Sequence, residues 1–131
     1  MSKRKVIHVV LISLYVGFIL WITIFSRSQG SERIFKGLFW EIQVGYWRDI
    51  CLNILLFAPL GFLTKNKKKI LLGIVLSILI EATQYFLKLG FCEVDDVINN
   101  SIGMIIGFFI YRILYCIYKN IMRKRTDMLN E

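Results

Sequence analysis

Four long apolar segments constrain this chain more than any other feature of its sequence. They cover residues 6–25, 46–63, 70–87 and 97–118. A bilayer core is roughly 30 Å thick and is crossed by about 20 helical residues, so segments of this length can span it. Backbone in hydrocarbon must satisfy its own hydrogen bonds, and the alternating pattern of barrel strands is absent. The sequence therefore predicts an all-α membrane protein, a single domain over residues 1–131 with a bundle of four transmembrane helices.

The Lys and Arg residues between these segments predict the orientation of the chain. Short cytoplasmic loops retain Lys and Arg. The basic clusters occupy residues 3–5, 65–69 and 119–125, the last in a tail of residues 119–131. In a four-span chain these clusters share one side, so both termini are predicted to be cytoplasmic. The net charge of +8 reflects this topology. Since no basic face is interleaved with stacking aromatics, nucleic acid is not an expected partner.

Two of the four segments have alternative interpretations. Basic residues precede the first segment, as in a secretory signal peptide, but no small-x-small cleavage site follows it, which favours a retained anchor. The strictly apolar part of the second segment is short and contains Asn53 and Pro59, as a re-entrant hairpin could. A full crossing is favoured, because it keeps residues 65–69 on the cytoplasmic side.

The first outer loop carries apolar residues at helical spacing. These are Ile34, Phe35, Leu38, Phe39 and Ile42, with Glu32, Arg33, Lys36 and Glu41 on the opposite side. The pattern is typical of a helix lying in the membrane interface. An ordinary loop packed on the bundle explains it equally well.

Polar side chains within the apolar segments predict a pocket in the outer half of the bundle. A charge inside a span costs at least about 2.5–3.5 kcal/mol on insertion scales, so Glu81 needs partners. With 1.5 Å of rise per residue, the second, third and fourth helices bring polar groups to one depth. The predicted binding residues are Asn53, Glu81, Gln84, Asp96 and Asn100. The alternative is a structural network, in which each hydrogen bond contributes about 0.6–2 kcal/mol.

Small residues and one proline have a predicted structural role. Gly103 and Gly107 form a small-xxx-small pattern, which lets helices approach closely. We expect this pattern to pack the third and fourth helices together and to help desolvate Glu81. Pro59 with Gly61 predicts a kink in the second helix.

The sequence gives little support for catalysis. It contains one His and no motif typical of a soluble enzyme, so we assign no catalytic residue, cofactor or metal and expect a protein that is not an enzyme. A divalent ion on Glu93, Asp95 and Asp96 is an alternative, although three acids at a helix entry are more often caps and interface charges.

Three motifs resemble one known family. They are the run from Asn53 to Phe62, the segment Glu81-Ala-Thr-Gln84, and the run from Glu93 to Gly103 followed by Gly107. In this order, and over nearly the whole chain, they resemble the VanZ-like family of multi-pass proteins of the bacterial cell membrane. The positions that match are Asn53, Phe57, Pro59, Gly61, Glu81, Gln84, Asp96, Asn100, Gly103 and Gly107. Many members differ at Gly90, Glu93 and Leu38-Phe39, where they carry a basic residue, Asp and Pro-Phe.

The resemblance implies an association with low-level resistance to the glycopeptide teicoplanin. Together with the buried polar residues, it predicts an outer-leaflet pocket that engages a cell-envelope component and lowers susceptibility to teicoplanin-type lipoglycopeptides. The expected partners are membrane lipids and either a lipid-linked wall precursor or a lipoglycopeptide, with a homo-oligomer left open. The alternatives are a membrane enzyme acting on a lipid-linked wall intermediate and a small transporter or transporter subunit.

Overall fold

The protein is a bundle of helices with a small two-stranded sheet at one end. The computed structural model describes residues 3–30 and 34–129. Its elements are α1 (Lys3–Leu20) with a π-helical turn (Trp21–Phe25), β1 (Ile34–Lys36), α2 (Trp40–Val44), α3 (Trp47–Thr64), α4 (Lys67–Leu87), β2 (Phe91–Glu93) and α5 (Val94–Leu129). Four of the helices, α1 with its π-helical turn, α3, α4 and α5, are long and apolar enough to cross a membrane. This confirms the predicted four-helix membrane class, whereas the orientation of the termini stays a prediction.

The helix bounds differ from the expected ones mainly at the end of α5, whereas α3 agrees with the second segment to within one residue at each end. The predicted fourth span ends at residue 118, whereas α5 continues to Leu129, so the basic tail belongs to the same helix. The second span is one uninterrupted helix, α3, that passes through Pro59 without the reversal of a re-entrant hairpin. At 1.5 Å per residue its 18 residues extend about 27 Å.

The bundle has two chemically different ends, which we name by their residues. The loop end contains residues 26–30, 34–46 and 88–93, including the sheet and α2. The lysine end contains the start of α1 and the α3–α4 turn with Lys65 and residues 67–69. In that turn Lys65 adopts a left-handed conformation (φ 54°), and the Asn66 side chain caps α4 by accepting the backbone N–H of Lys68 at 3.0 Å.

Glycines allow α3 and α5 to pack with their backbones almost in contact. A Cβ added to Gly103 would overlap the carbonyl group of Ile54, and one added to Gly107 would overlap that of Ala58. Gly61 on α3 fits in the same way against the backbone of Met104. The predicted partner of the Gly103 and Gly107 stripe was the third span, α4, and this prediction is wrong: the stripe faces the second span, α3. Spacing shows that a helix face is smooth, but not which neighbour covers it.

The helix α4 also packs against α5, and a small apolar core lies where α1, α3, α4 and α5 meet. The buried residues of this core are Ile19, Phe57, Leu60, Ile80 and Met104. The Met104 side chain lies over Gly73, where a Cβ would collide with it. Most other apolar side chains on the four long helices are exposed, as expected for surfaces that face lipid.

The loop between α1 and α3 is not one amphipathic helix. Ile34–Lys36 pairs in parallel with Phe91–Glu93, which ties this loop to the one between α4 and α5. Within the described part of this loop only Trp40–Val44 is helical, and Phe39 before it is left-handed (φ 62°). Of the two interpretations that the sequence left open for this loop, a continuous helix through Ile34 and Ile42 is not found, because pairing with β2 satisfies the backbone hydrogen bonds of the first half of the segment. Glu32 and Arg33 of that pattern lie outside the described residues.

Candidate polar pocket at the loop end

A cavity of about 480 Å³ opens at the loop end between α1, α3, α5 and the two loops. Its polar lining consists of Arg27, Glu41, Asp49, Asn53, Glu93 and Asp96, together with Thr23 and Tyr46. Apolar side chains complete the wall, among them Ile22, Leu52, Leu56 and Phe91. Among the described residues, four carboxyl groups and one Arg thus share this cavity, so an acceptor-rich surface is available to a ligand.

Asn53 and Asp96 are the two predicted residues that line this cavity. The Asn53 amide Nδ2 donates to Asp96 Oδ1 at 2.5 Å, which joins α3 to α5. Asp96 is buried, with 9% of its surface exposed, and Asn53 is half-buried. The close glycine packing between α3 and α5 begins one residue further along α3, at Ile54, and so places this pair side by side.

Glu81, Gln84 and Asn100 are buried beside the cavity but do not line it. Glu81 Oε2 accepts the backbone N–H of Glu93 at 2.9 Å, so this carboxylate supports β2. Asn100 Nδ2 donates to Ser77 Oγ at 2.8 Å, which joins α5 to α4 one turn before Glu81. The side-chain oxygens of Gln84 and Asn100 have no hydrogen-bond partner among the described residues. Two of the five predicted residues therefore line the cavity, and the other three make buried hydrogen bonds to β2, to Thr23 and to α4.

Gln84 meets the first helix where its regular geometry changes. The amide Nε2 of Gln84 donates to the backbone carbonyl of Thr23 at 3.0 Å. Thr23 lies within the π-helical turn, and its own hydroxyl donates to the Ile19 carbonyl at 2.8 Å. A π-helical turn disturbs the backbone ladder, and such turns are frequent at functional sites. Here the turn presents a carbonyl to α4 at the edge of the cavity.

Glu41 is the lining residue that the sequence pattern misplaced. It was expected on the polar side of an interfacial helix, yet only 1% of its surface is exposed. Its Oε2 accepts the Nδ2 of Asn99 at 2.5 Å. Asp95 holds α2 over the cavity by accepting the backbone N–H groups of Phe39 at 2.6 Å and Glu41 at 3.1 Å. Nothing in the sequence around Glu41 indicates this burial, which depends on contacts with α5.

Three carboxyl groups of the cavity lie close together. The carboxylate oxygens of Glu41, Glu93 and Asp96 are within 4.8 Å of one another, an arrangement that could hold a divalent cation. The sequence had suggested Asp95 in place of Glu41, but Asp95 is used as the cap of α2. Burial, together with the charges of Asp96 and Glu93, raises the pKa of Glu41 to about 7. Burial and the charge of Asp96 also raise the pKa of Glu93.

Four membrane-length helices, with a polar cavity at one end of the bundle, are the architecture of a multi-pass membrane protein. The family model VanZ/LLP1 matches residues 12–115, and the chain belongs to this family. The chain is similar to Protein VanZ from Enterococcus faecium, with 26% identity over 120 residues, covering 82% of this chain and 74% of that protein. No solved structure matches the chain.

Proposed function

We propose that this protein binds a component of the bacterial cell envelope in the cavity at its loop end, and that this binding lowers susceptibility to teicoplanin-type lipoglycopeptides. The observation that carries the proposal is the cavity of about 480 Å³ lined by Glu41, Asp49, Glu93 and Asp96 beside apolar side chains. Its volume falls within the roughly 300–1,000 Å³ of small-molecule sites. The association with teicoplanin rests on membership of the family.

The proposal includes an orientation of the chain. The lysine end would face the cytoplasm, because Lys and Arg are retained in short cytoplasmic loops. The loop end would then open to the outer leaflet of the cell membrane, where wall precursors and lipoglycopeptides are encountered. A single Cys introduced at Lys67, with the three native Cys replaced by Ser, tests this. It should be labelled by a membrane-impermeant maleimide only after the cells are opened.

The lining of the cavity suggests what kind of ligand it takes. An ionised carboxylate accepts hydrogen bonds but donates none. The carboxylates of the cavity therefore favour ligands rich in donors, such as sugar hydroxyls or an amino group. Arg27 adds one cationic group that suits a phosphate. Apolar lining residues such as Leu52 and Leu56 suit an acyl or prenyl chain. A lipid-linked wall precursor and a lipoglycopeptide both combine these chemistries.

The proposal is tested by comparing matched carboxylate variants. Asp96→Asn and Glu93→Gln alter the cavity, whereas Asp127→Asn makes the same chemical change at an exposed position near the end of α5. At equal membrane abundance, Asp96→Asn should lose most of the protection against teicoplanin that the parent chain gives, and Asp127→Asn should keep it. A protective parent chain with equally protective cavity variants would disprove the proposal.

A second candidate function is an enzyme acting on a lipid-linked phosphate. The three carboxylates of Glu41, Glu93 and Asp96 favour it, because a divalent ion held there would neutralise a phosphate. Purified protein would then hydrolyse a polyprenyl diphosphate in the presence of Mg²⁺, and Glu41→Gln would abolish turnover. Release of phosphate by the parent chain would favour this function over binding alone.

A further inference from the structure

A second cavity, separate from the polar pocket, lies between the four long helices towards the lysine end. Its volume is about 210 Å³, and its lining is mostly apolar, with Ile12, Val16, Leu60, Leu72 and Leu76 among its wall residues. Met104 and Gly73 form part of the same surface. The lining comes from α1, α3, α4 and α5, so the helices of the bundle hold this space open by their own packing.

Lys69 is the charged residue in the described lining of this cavity. The other polar lining residue, Thr64, is buried, and its hydroxyl donates within the helix to the Gly61 carbonyl at 2.8 Å. An apolar cavity does not hold ordered water, because a water needs two to four polar partners. The lining therefore matches a hydrocarbon chain with one anionic group at Lys69.

The surroundings of Lys69 reinforce its positive charge. His8 on α1 lies close enough to Lys65 and Lys69 to be influenced by both charges. His8 is four residues before Ile12, so the two share a face of α1. The Asn66 cap places the amino-terminal end of α4, the positive end of its dipole, at the same level. An anion at this position would meet Lys69 and the amino-terminal end of α4 together.

We propose that this cavity binds an anionic phospholipid, with part of one acyl chain between the helices and its phosphate at Lys69. A volume of about 210 Å³ is below the roughly 300–1,000 Å³ of sites for whole small molecules, so only part of a chain enters. Positive charge complements the anionic head group, and basic pockets between transmembrane helices bind such lipids. The proposal does not depend on the function of the polar pocket.

The test uses the full chain in nanodiscs of phosphatidylcholine with a trace of phosphatidylglycerol that carries a diazirine in its acyl chain. Peptide mapping after photolysis should place the crosslinks on α1 and α4, at the half-buried residues Ile12, Val16 or Leu76. A tenfold excess of unlabelled phosphatidylglycerol should remove them, whereas added phosphatidylcholine should not. Crosslinks spread evenly over the exposed outer faces of the helices, at residues such as Leu71 and Ile78, would overturn the proposal.

Two lysine variants separate a specific site from general attraction to a negative membrane. Lys69→Gln and Lys68→Gln remove the same charge one residue apart, but Lys68 does not line the cavity. Lys69→Gln should lower crosslinking about fivefold relative to Lys68→Gln, as expected for one Lys contact with a lipid phosphate. Equal crosslinking of the two variants would mean that surface charge alone attracts the lipid, and it would overturn the proposal.

A third variant tests the chain-binding part of the cavity. Leu76→Phe adds volume to the wall and should reduce crosslinking of phosphatidylglycerol while leaving the lysine cluster unchanged. Circular dichroism and size-exclusion chromatography in the same detergent establish whether this variant is folded. A folded Leu76→Phe protein with undiminished crosslinking would show that the acyl chain lies elsewhere. If the variant does not fold, the crosslinks mapped on the parent chain decide whether the acyl chain occupies the cavity.

Discussion

Gly107→Ala should destabilise the bundle, because the added Cβ would collide with the backbone of α3. An added Cβ would lie 2.7 Å from the Ala58 carbonyl carbon and 2.8 Å from the Phe62 backbone nitrogen, in addition to overlapping the Ala58 oxygen. Carbon atoms are in optimal contact at about 3.5–4.0 Å, so α3 and α5 would have to separate by on the order of 1 Å. Neither backbone segment can rotate out of the way as a side chain would.

The expected cost follows from two opposing effects. Overpacking a well-packed interface costs about 1–3 kcal/mol. Ala is favoured over Gly in a helix by up to about 1 kcal/mol, which offsets part of that cost. With the full offset we expect Gly107→Ala to lower the free energy of unfolding by about 0–2 kcal/mol relative to the parent chain, and by about 1–3 kcal/mol relative to a Gly→Ala change that meets no obstacle. Gly17→Ala is the matched control, since an added Cβ at Gly17 meets nothing within 4 Å.

The assay is reversible unfolding of the purified protein by sodium dodecyl sulfate in mixed micelles, followed by circular dichroism. Gly17→Ala should be as stable as the parent chain or slightly more stable, while Gly107→Ala should unfold at a lower detergent fraction. If Gly107→Ala were as stable as Gly17→Ala, the close backbone packing of α3 on α5 would be refuted. The placement of Asn53 beside Asp96 would lose its basis as well.

Two further predictions concern the loop end. Because the pKa of Glu41 is raised from its ordinary value of 4.5 to about 7, the folded state retains a proton between these pH values that the unfolded state has lost. Stability should therefore fall as pH rises from about 4.5 to 7. The unfolding temperature of Glu41→Gln should fall less over this range, and parallel curves would contradict the burial of Glu41. Separately, Asp95→Ala removes the acceptor of two backbone N–H groups, and hydrogen bonds to a charged group contribute about 1.5–3 kcal/mol each. Amide hydrogen exchange of α2 should become at least tenfold faster than in the parent chain, with α4 unchanged as the internal reference.

The buried polar residues were predictable from the sequence only in part. An acid inside an apolar span needs compensation, and Glu81 is indeed buried with a hydrogen bond to the backbone of Glu93. The residues that line the cavity were predicted only in part. Asn53 and Asp96 were expected there, but Glu41, Asp49 and Arg27 were not. These three come from loops or helix ends, where apolar periodicity carries no information about burial.

The glycine stripe shows a second limit of the same kind. Its spacing indicates a smooth helix face, and the structure places backbone against it, as expected. The partner, however, is α3 and not α4. Both helices are apolar, and both offer small residues, Gly61 on α3 and Gly73 on α4. Local sequence cannot distinguish between them.

The sequence by itself determined that this protein has four membrane-length helices, because apolar length and the need for internal hydrogen bonds leave few other solutions in a bilayer. It also determined that several polar groups lie within those helices. Only the tertiary structure decided which of these groups meet. Pairing of β1 with β2 and capping of α2 by Asp95 join residues more than 50 positions apart, and those contacts bury Glu41 next to Glu93 and Asp96. Such contacts depend on how whole helices pack, a property that no single segment encodes.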